Sequence, residues 1–187
     1  LLHVVPAPLL TAGAGLLPIV ALWSLRGARC RTAWVLAAIV AVETRIPVAE
    51  ALALPRTALA LALADSELER LTRFAPAGDP DAGELLKHIA ACATVLEGLG
   101  PAEVTALAED EYRALKPDGS RGAWALTERL LEALPDTGVR GAMIVPEVVG
   151  EAAVLRVLGR QALGDTGRET ILRLARRQAG AVARFLT

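Results

Sequence analysis

The sequence predicts a mainly α-helical protein, a helical bundle followed by a winged-helix-like module with one short strand region. Three observations carry this. Ala (37) and Leu (32) supply 69 of the 187 residues while aromatics reach only 3%, so the core is aliphatic and built from strong helix formers. Apolar residues recur at spacings of three and four between Pro and Gly punctuation, as amphipathic helices require. Only residues 139–145 (V-R-G-A-M-I-V) read as a strand. With 53% hydrophobic and 22% charged residues, the chain buries enough apolar surface to offset its ordering entropy, which excludes intrinsic disorder.

Residues 1–25 contain no Lys, Arg, Asp or Glu and are long enough to span a hydrocarbon layer of about 30 Å. Arg26, Arg29 and Arg31 follow, as a cytoplasmic stop would. Pro6, Pro8 and Pro18, the glycines Gly13 and Gly15, and the polar His3 and Thr11 nevertheless interrupt a single regular helix. The preferred reading is therefore a set of helices buried in a larger protein, with a membrane segment over 1–25 as the alternative. A signal peptide does not fit, because the charges follow the apolar stretch. The chain opens on Leu1 and stops at Thr187 within a periodic stretch, and is read as part of something longer.

From Thr32 the punctuation places the elements. A helix is expected over 33–43, a short one near 48–53 after Ile46-Pro47, and Pro55 is expected in the first turn of a helix over 56–73. That helix sets Leu61, Ala64, Leu68 and Leu71 on one face and Glu69 four residues before Arg73 on another. Pro76-Ala77-Gly78 marks the expected domain boundary, giving an apolar helical segment over 1–76, a winged-helix-like module over 79–160 and basic helices over 161–187.

Asp79-Pro80 reads as N-cap and first-turn proline of a helix to about Glu97, with Leu85, Ile89, Cys92 and Leu96 as its buried stripe. Gly98-Leu99-Gly100 closes it, and Pro101 opens a helix to about Leu115 with Glu103 in its first turn. A third helix is expected from Arg121 to Leu134, then the 139–145 strand, a helix from Pro146 to Leu158, and one or two basic helices over 168–187. Three helices, a strand and a further helix describe a helix-turn-helix core with a wing; an irregular bundle with an extended linker is the alternative.

The net charge of −1 conceals a division. Residues 1–42 carry +3, residues 43–151 carry −9, and residues 152–187 carry +5. An acidic centre argues against duplex DNA as the main partner, because phosphate binding rests on Lys and Arg. Arg121 and Arg129 on the third helix are balanced by Glu128 and Glu132, which suits protein contacts better than a groove. The 18 Arg against 2 Lys follow from GC-rich coding. Cys30 and Cys92 alone exclude a disulfide scaffold and a zinc ribbon, and favour a reducing, cytoplasmic setting.

Catalytic motifs are missing. Lys87 and Lys116 are followed by His88 and Pro117, so neither belongs to a phosphate loop. The run from Leu59 to Asp65 imitates an apolar strand ending in a magnesium-binding Asp but lies in a helical pattern. Ser24, Ser66 and Ser120 do not lie in G-x-S-x-G. Glu84, His88 and Cys92, at i, i+4 and i+8, form one helical ridge able to offer three ligands to a metal ion, although Cys92 as a small core residue with His88 at its edge is the plainer reading. Glu109, Asp110 and Glu111 read as a solvated face rather than a cation site. The basic helix with Arg168, Arg173, Arg176, Arg177 and Arg184 reads as a solvated face or the start of a packed array, ahead of a phosphate or membrane contact.

Three stretches resemble a known family. The run from Leu54 (L-P-R-T-A-L-A-L-A-L-A-D-S-E-L-E-R-L-T-R-F-A), then L-L-K-H-I-A-A-C-A-T-V-L-E-G-L-G, then I-V-P-E-V-V-G-E-A-A-V-L-R-V-L at 144–158 are similar to bacterial STAND-type signalling P-loop ATPases, related to the NACHT group. The resemblance covers about residues 30–187 and is most specific over P-E-V-V-G-E-A at 146–152. It implies the helical lid and winged-helix segment that follow the ATPase core, with ATP and magnesium bound only by the parent protein. It also implies contact with that core, homo-oligomerisation on activation, and an adenine-proximal proline that Pro8 or Pro18 could match without the family's usual neighbours. No catalytic or metal residue is implied within this chain.

The expected function is thus a non-catalytic regulatory segment of a nucleotide-controlled signal-transduction switch. One alternative is a membrane-anchored protein, in the inner membrane, with a cytoplasmic helical domain. The other is a winged-helix DNA-binding regulator.

Overall fold

Where the apolar spacing is strongest, helices form. The computed structural model describes residues 37–42, 45–76, 81–116, 123–134, 141–144, 147–159 and 167–187, which belong to two compact units, residues 1–56 and 57–187. The expected Asp79-Pro80 cap, Arg121, Pro117-Asp118-Gly119 and residues 1–36, including Pro8 and Pro18, lie outside the described residues.

In the first unit, residues 37–42 are helical, with Ala37, Val40 and Ala41 buried and Ile39 and Val42 exposed. Helix α1 (Val48–Ala53) starts at Pro47, whose carbonyl accepts the Glu50 and Ala51 N–H groups at 2.9 and 3.0 Å.

The second unit begins with the body of α2 (Arg56–Thr72). Pro55 precedes this helix instead of entering its first turn, since the helical run starts at Arg56. Its buried face is Leu59, Ala60, Leu63, Ala64, Leu68 and Leu71, and Leu61 is only half-buried. Two polar contacts tie α2 to later elements: Asp65 pairs with Arg156 at 2.9 Å, and Arg70 donates to the Ala133 carbonyl at 2.7 Å while held by Glu67.

Helix α3 (Ala82–Val95) is the centre of this unit. It is buried almost all round, from Leu85 and Leu86 to Val95, as a helix enclosed on every side must be. It packs against α4 (Pro101–Leu115), α5 (Ala123–Ala133), α6 (Glu147–Leu158) and α7 (Gly167–Phe185). Each fully buried Leu or Ile here contributes roughly 1.5–3 kcal/mol of transfer free energy. Cys92 and Leu96 fall on the buried stripe as expected.

A Schellman motif ends α3, with Gly98 N–H to the Ala93 carbonyl at 3.0 Å and Glu97 N–H to the Thr94 carbonyl at 3.0 Å. Glu97 occupies the left-handed position, φ +62°, where glycine is usual. Glu103 then accepts the Gly100 N–H at 3.0 Å and fixes the start of α4.

The expected strand is reduced, among the described residues, to one antiparallel bridge between Leu99 and Ala142. Ala142, Met143 and Ile144 are all buried in succession, so the segment lacks the alternation of a half-exposed strand and is covered from both sides. Thr94 secures it: its hydroxyl donates to the Ala90 carbonyl at 2.8 Å and accepts the Ile144 N–H at 3.2 Å. Gly141, at φ +69°, lets the backbone lie against Leu99, where a Cβ would come within 2.5 Å of the Leu99 carbonyl oxygen. Gly150 does the same for α6, since a Cβ there would lie 2.8 Å from both the Ile144 carbonyl oxygen and Thr94 Cγ2.

The basic C-terminal stretch is two helical runs joined at Gln178 (φ −152°, ψ 77°), counted together as α7. This kink is the physical content of the one-or-two-helix ambiguity in the sequence.

Candidate functional site

Three helices bring a buried acid, an imidazole, a thiol and a guanidinium together. Helix α4 buries Val104, Leu107, Ala108, Glu111 and Tyr112, a stripe at i, i+3, i+4, i+7 and i+8. Glu111 therefore takes a position that the spacing reserves for an apolar side chain, and it is 2% exposed. The solvated-face reading holds for Glu109 and Asp110, which are exposed, but not for Glu111. The neighbouring stripe was the sequence signal that separates it from them.

Helix α3 supplies His88 and Cys92, one turn apart and both buried. His88 Nε2 lies 2.8 Å from Glu111 Oε2; an ionised carboxylate only accepts, so Nε2 carries the proton of this bond. Helix α7 supplies Arg173, whose Nε and terminal nitrogen donate to Glu111 Oε1 and Oε2 at 3.1 and 2.6 Å. The same guanidinium reaches the buried Thr170 hydroxyl at 3.3 Å.

Burial by itself would raise the Glu111 pKa. The hydrogen bonds from His88 and then Arg173, reinforced by their charge, outweigh it and hold the carboxyl below the ordinary glutamate value of 4.5. The carboxylate is thus ionised at neutral pH and bonded on both oxygens.

The metal-ligand ridge expected from Glu84, His88 and Cys92 is assembled differently. Glu84 pairs with Lys87, and it is Glu111 that brings an oxygen to within 4.8 Å of the His88 and Cys92 donor atoms. These three could hold a cation. Yet Arg173 already spans both oxygens of Glu111, and a guanidinium at 2.6 Å repels a second cation there. The arrangement is chemically complete as a buried polar network that fastens α7 to α3 and α4.

Two exposed pairs extend the fastening along α7. Arg177 meets Asp110 at 2.7 Å, and Arg184 grips Glu97 through three contacts of 2.6–3.0 Å. Arg168 and Arg176 of the same helix are exposed. Of the third-helix charges, Arg129 pairs with Glu132 at 2.9 Å on the surface of α5. Asp65 lies within α2. Among the described residues, no helix is long and apolar enough to cross a membrane. Comparison of the chain with protein-family models, curated proteins and solved structures returns no match.

Proposed function

We propose that the chain is a non-catalytic regulatory segment of a nucleotide-controlled signalling switch, in which ATP and magnesium belong to the parent protein's ATPase core. The observation that carries this reading is the attachment of α7. A basic helix is held on an acidic module by one buried and two exposed ion pairs, Arg173–Glu111, Arg177–Asp110 and Arg184–Glu97. The two exposed pairs can be exchanged at modest cost, because such pairs are each worth little and are screened by salt, whereas the buried pair holds the root of the helix. A neighbouring domain that competes for the exposed pairs and for the small buried face of Ala181 and Val182 can reposition the end of α7 without unfolding the core around α3.

The winged-helix-like reading of residues 79–160 has support of its own. The order is helix α3, the bridging residue Leu99, helices α4 and α5, and then the bridging partner Ala142, which is the order of a three-helix core whose first short strand pairs with a later wing. The charge of α5, Arg129 against Glu128 and Glu132, favours protein contact over DNA for such a module. Pro8 and Pro18 remain the residues assigned near the adenine in this proposal. Its further consequences are contact with the ATPase core of the same chain, homo-oligomerisation of the active form, and a cytoplasmic location.

Reading the genomic frame on both sides tests it. A phosphate loop and an apolar strand ending in Asp upstream, with helical repeats downstream, support the switch. Further apolar spans upstream without a phosphate loop overturn it in favour of a membrane-anchored protein. Salt-dependent binding of the full chain to duplex DNA overturns it in favour of a DNA-binding regulator.

A further inference from the structure

His88, Cys92 and Glu111 place an imidazole nitrogen, a thiol sulfur and a carboxylate oxygen within 4.8 Å of one another, and all three residues are buried. His88 and Cys92 stand one turn apart on α3, so the helix backbone sets two of the donors before anything binds. Tetrahedral coordination with bonds of about 2.0–2.3 Å puts donors roughly 3.5 Å apart, which these side chains reach by converging roughly 1 Å. A thiolate, an imidazole and a carboxylate together select zinc-like divalent ions over magnesium or calcium, which prefer oxygen alone.

Arg173 opposes such an ion, and charge balance says how the two relate. With the guanidinium in place, one cation balances the Glu111 carboxylate. With a divalent ion in its place, ionised Cys92 and Glu111 balance the ion while the imidazole of His88 stays neutral. Both sets are electrically neutral, as burial requires, whereas the guanidinium and the ion together leave an uncompensated positive charge. The two cations are therefore alternatives. The Arg173 side chain is 27% exposed against 2% for Glu111, so the guanidinium can leave toward solvent. Glu169, exposed and one turn back on α7, offers it a carboxylate at the favourable i, i+4 spacing.

We propose that His88, Cys92 and Glu111 form a binding site for a zinc-class divalent ion, and that the ion takes Glu111 from Arg173. On binding, the Cys92 thiol gives its proton to solvent and the His88 proton passes from Nε2 to Nδ1, which frees Nε2 to ligate. Three protein donors then hold the ion and a water completes the fourth position. The buried pair that roots α7 is broken whenever the ion is bound, so the site couples metal to the attachment of residues 167–177. This coupling is independent of whether the parent protein is a nucleotide switch.

Titration of the full chain with cobalt(II) tests this, in a Cys30→Ser background that leaves Cys92 as the single thiol. A thiolate-to-cobalt charge-transfer band in the near ultraviolet is expected to saturate at one ion per chain and to be removed by zinc. Cys92→Ser should abolish the band, His88→Gln and Glu111→Gln should each weaken binding about tenfold or more, and Glu84→Gln should leave it unchanged. Arg173→Gln, which removes the competitor, should tighten binding about tenfold or more. Circular dichroism and thermal melts identify a folding defect, and loss of the gain in His88→Gln/Arg173→Gln separates the site from a thiol exposed by misfolding. Zinc should also lower hydrogen-exchange protection over residues 167–177 of the native chain. Absence of the band from both the Cys30→Ser chain and Arg173→Gln overturns the site, as does a band that keeps full affinity in His88→Gln and Glu111→Gln. A band confined to Arg173→Gln, or a native band with protection over 167–177 unchanged, overturns the exchange with Arg173.

Discussion

Glu111 is a carboxylate in a leucine's place, and the consequences of that placement are measurable. Glu111→Gln keeps the shape but removes the charge that satisfies His88 and Arg173, which should cost about 3 kcal/mol in urea unfolding, the range for breaking a buried pair. A loss near zero would mean that Arg173 re-solvates freely. Because the folded pKa of Glu111 lies below its ordinary value of 4.5, the unfolded chain binds more protons in this region and stability rises with pH. The contribution is complete above the unfolded value and disappears as pH falls through the folded one. The wild type should therefore lose stability more steeply below pH 4.5 than Glu111→Gln, and parallel acid titrations of the two would contradict the assignment. Glu97 poses the opposite case, a non-glycine residue at φ +62°. Glu97→Gly relieves about 1 kcal/mol of backbone strain but gives up the Arg184 contact. It should be the more stable form at high salt and lose that advantage at low salt. Neither residue is read correctly from the sequence alone: Glu111 reads there as part of a solvated acidic face, although the stripe of Val104, Leu107, Ala108 and Tyr112 is a signal that could have placed it on a buried one, and no periodicity could say that α7 would bring Arg173 to it.

Helix α6 and the 141–144 segment owe their closeness to small residues. Gly150→Ala puts a Cβ 2.8 Å from the Ile144 carbonyl oxygen and Thr94 Cγ2, and should cost about 2 kcal/mol in chemical denaturation, as overpacking does. A neutral result would show that α6 can slide away from α3. Thr94→Val is nearly isosteric but leaves the buried Ile144 N–H without its acceptor, at about 1–3 kcal/mol. At this scale the sequence was informative. The bounds of α1 and α4 follow from Pro47 and Pro101, and the buried stripe of α3 from Leu85, Ile89 and Cys92. The glycine inside P-E-V-V-G-E-A now has a physical reason in the close crossing of α6 over Thr94 and Ile144. The 139–145 stretch was harder to read, because an apolar run covered on both sides looks the same whether it forms a ladder or a single bridge.

Across the second unit, the contrast between an acidic centre and a basic C-terminal stretch becomes an arrangement in space: Arg173, Arg177 and Arg184 of α7 lie on two acids of α4 and on Glu97 in the turn that ends α3. The charge division was visible in the chain, but the pairing was not, because it depends on how α7 crosses α3. The pairs differ in how salt reaches them. Glu111 is buried and its pair with Arg173 is shielded, whereas Asp110–Arg177 and Glu97–Arg184 are open to screening. Helix α7 thus has a root fixed by the buried Arg173–Glu111 pair and an end where salt-screened pairs supplement the packing of Ala181 and Val182, a difference that hydrogen exchange along residues 167–187 of the full chain at low and high salt measures. Salt is expected to lower protection beyond the Gln178 kink while residues 167–177 stay protected, and Glu111→Gln then to expose those as well. Uniform protection of the whole helix at both salt concentrations, unchanged by Glu111→Gln, would contradict it.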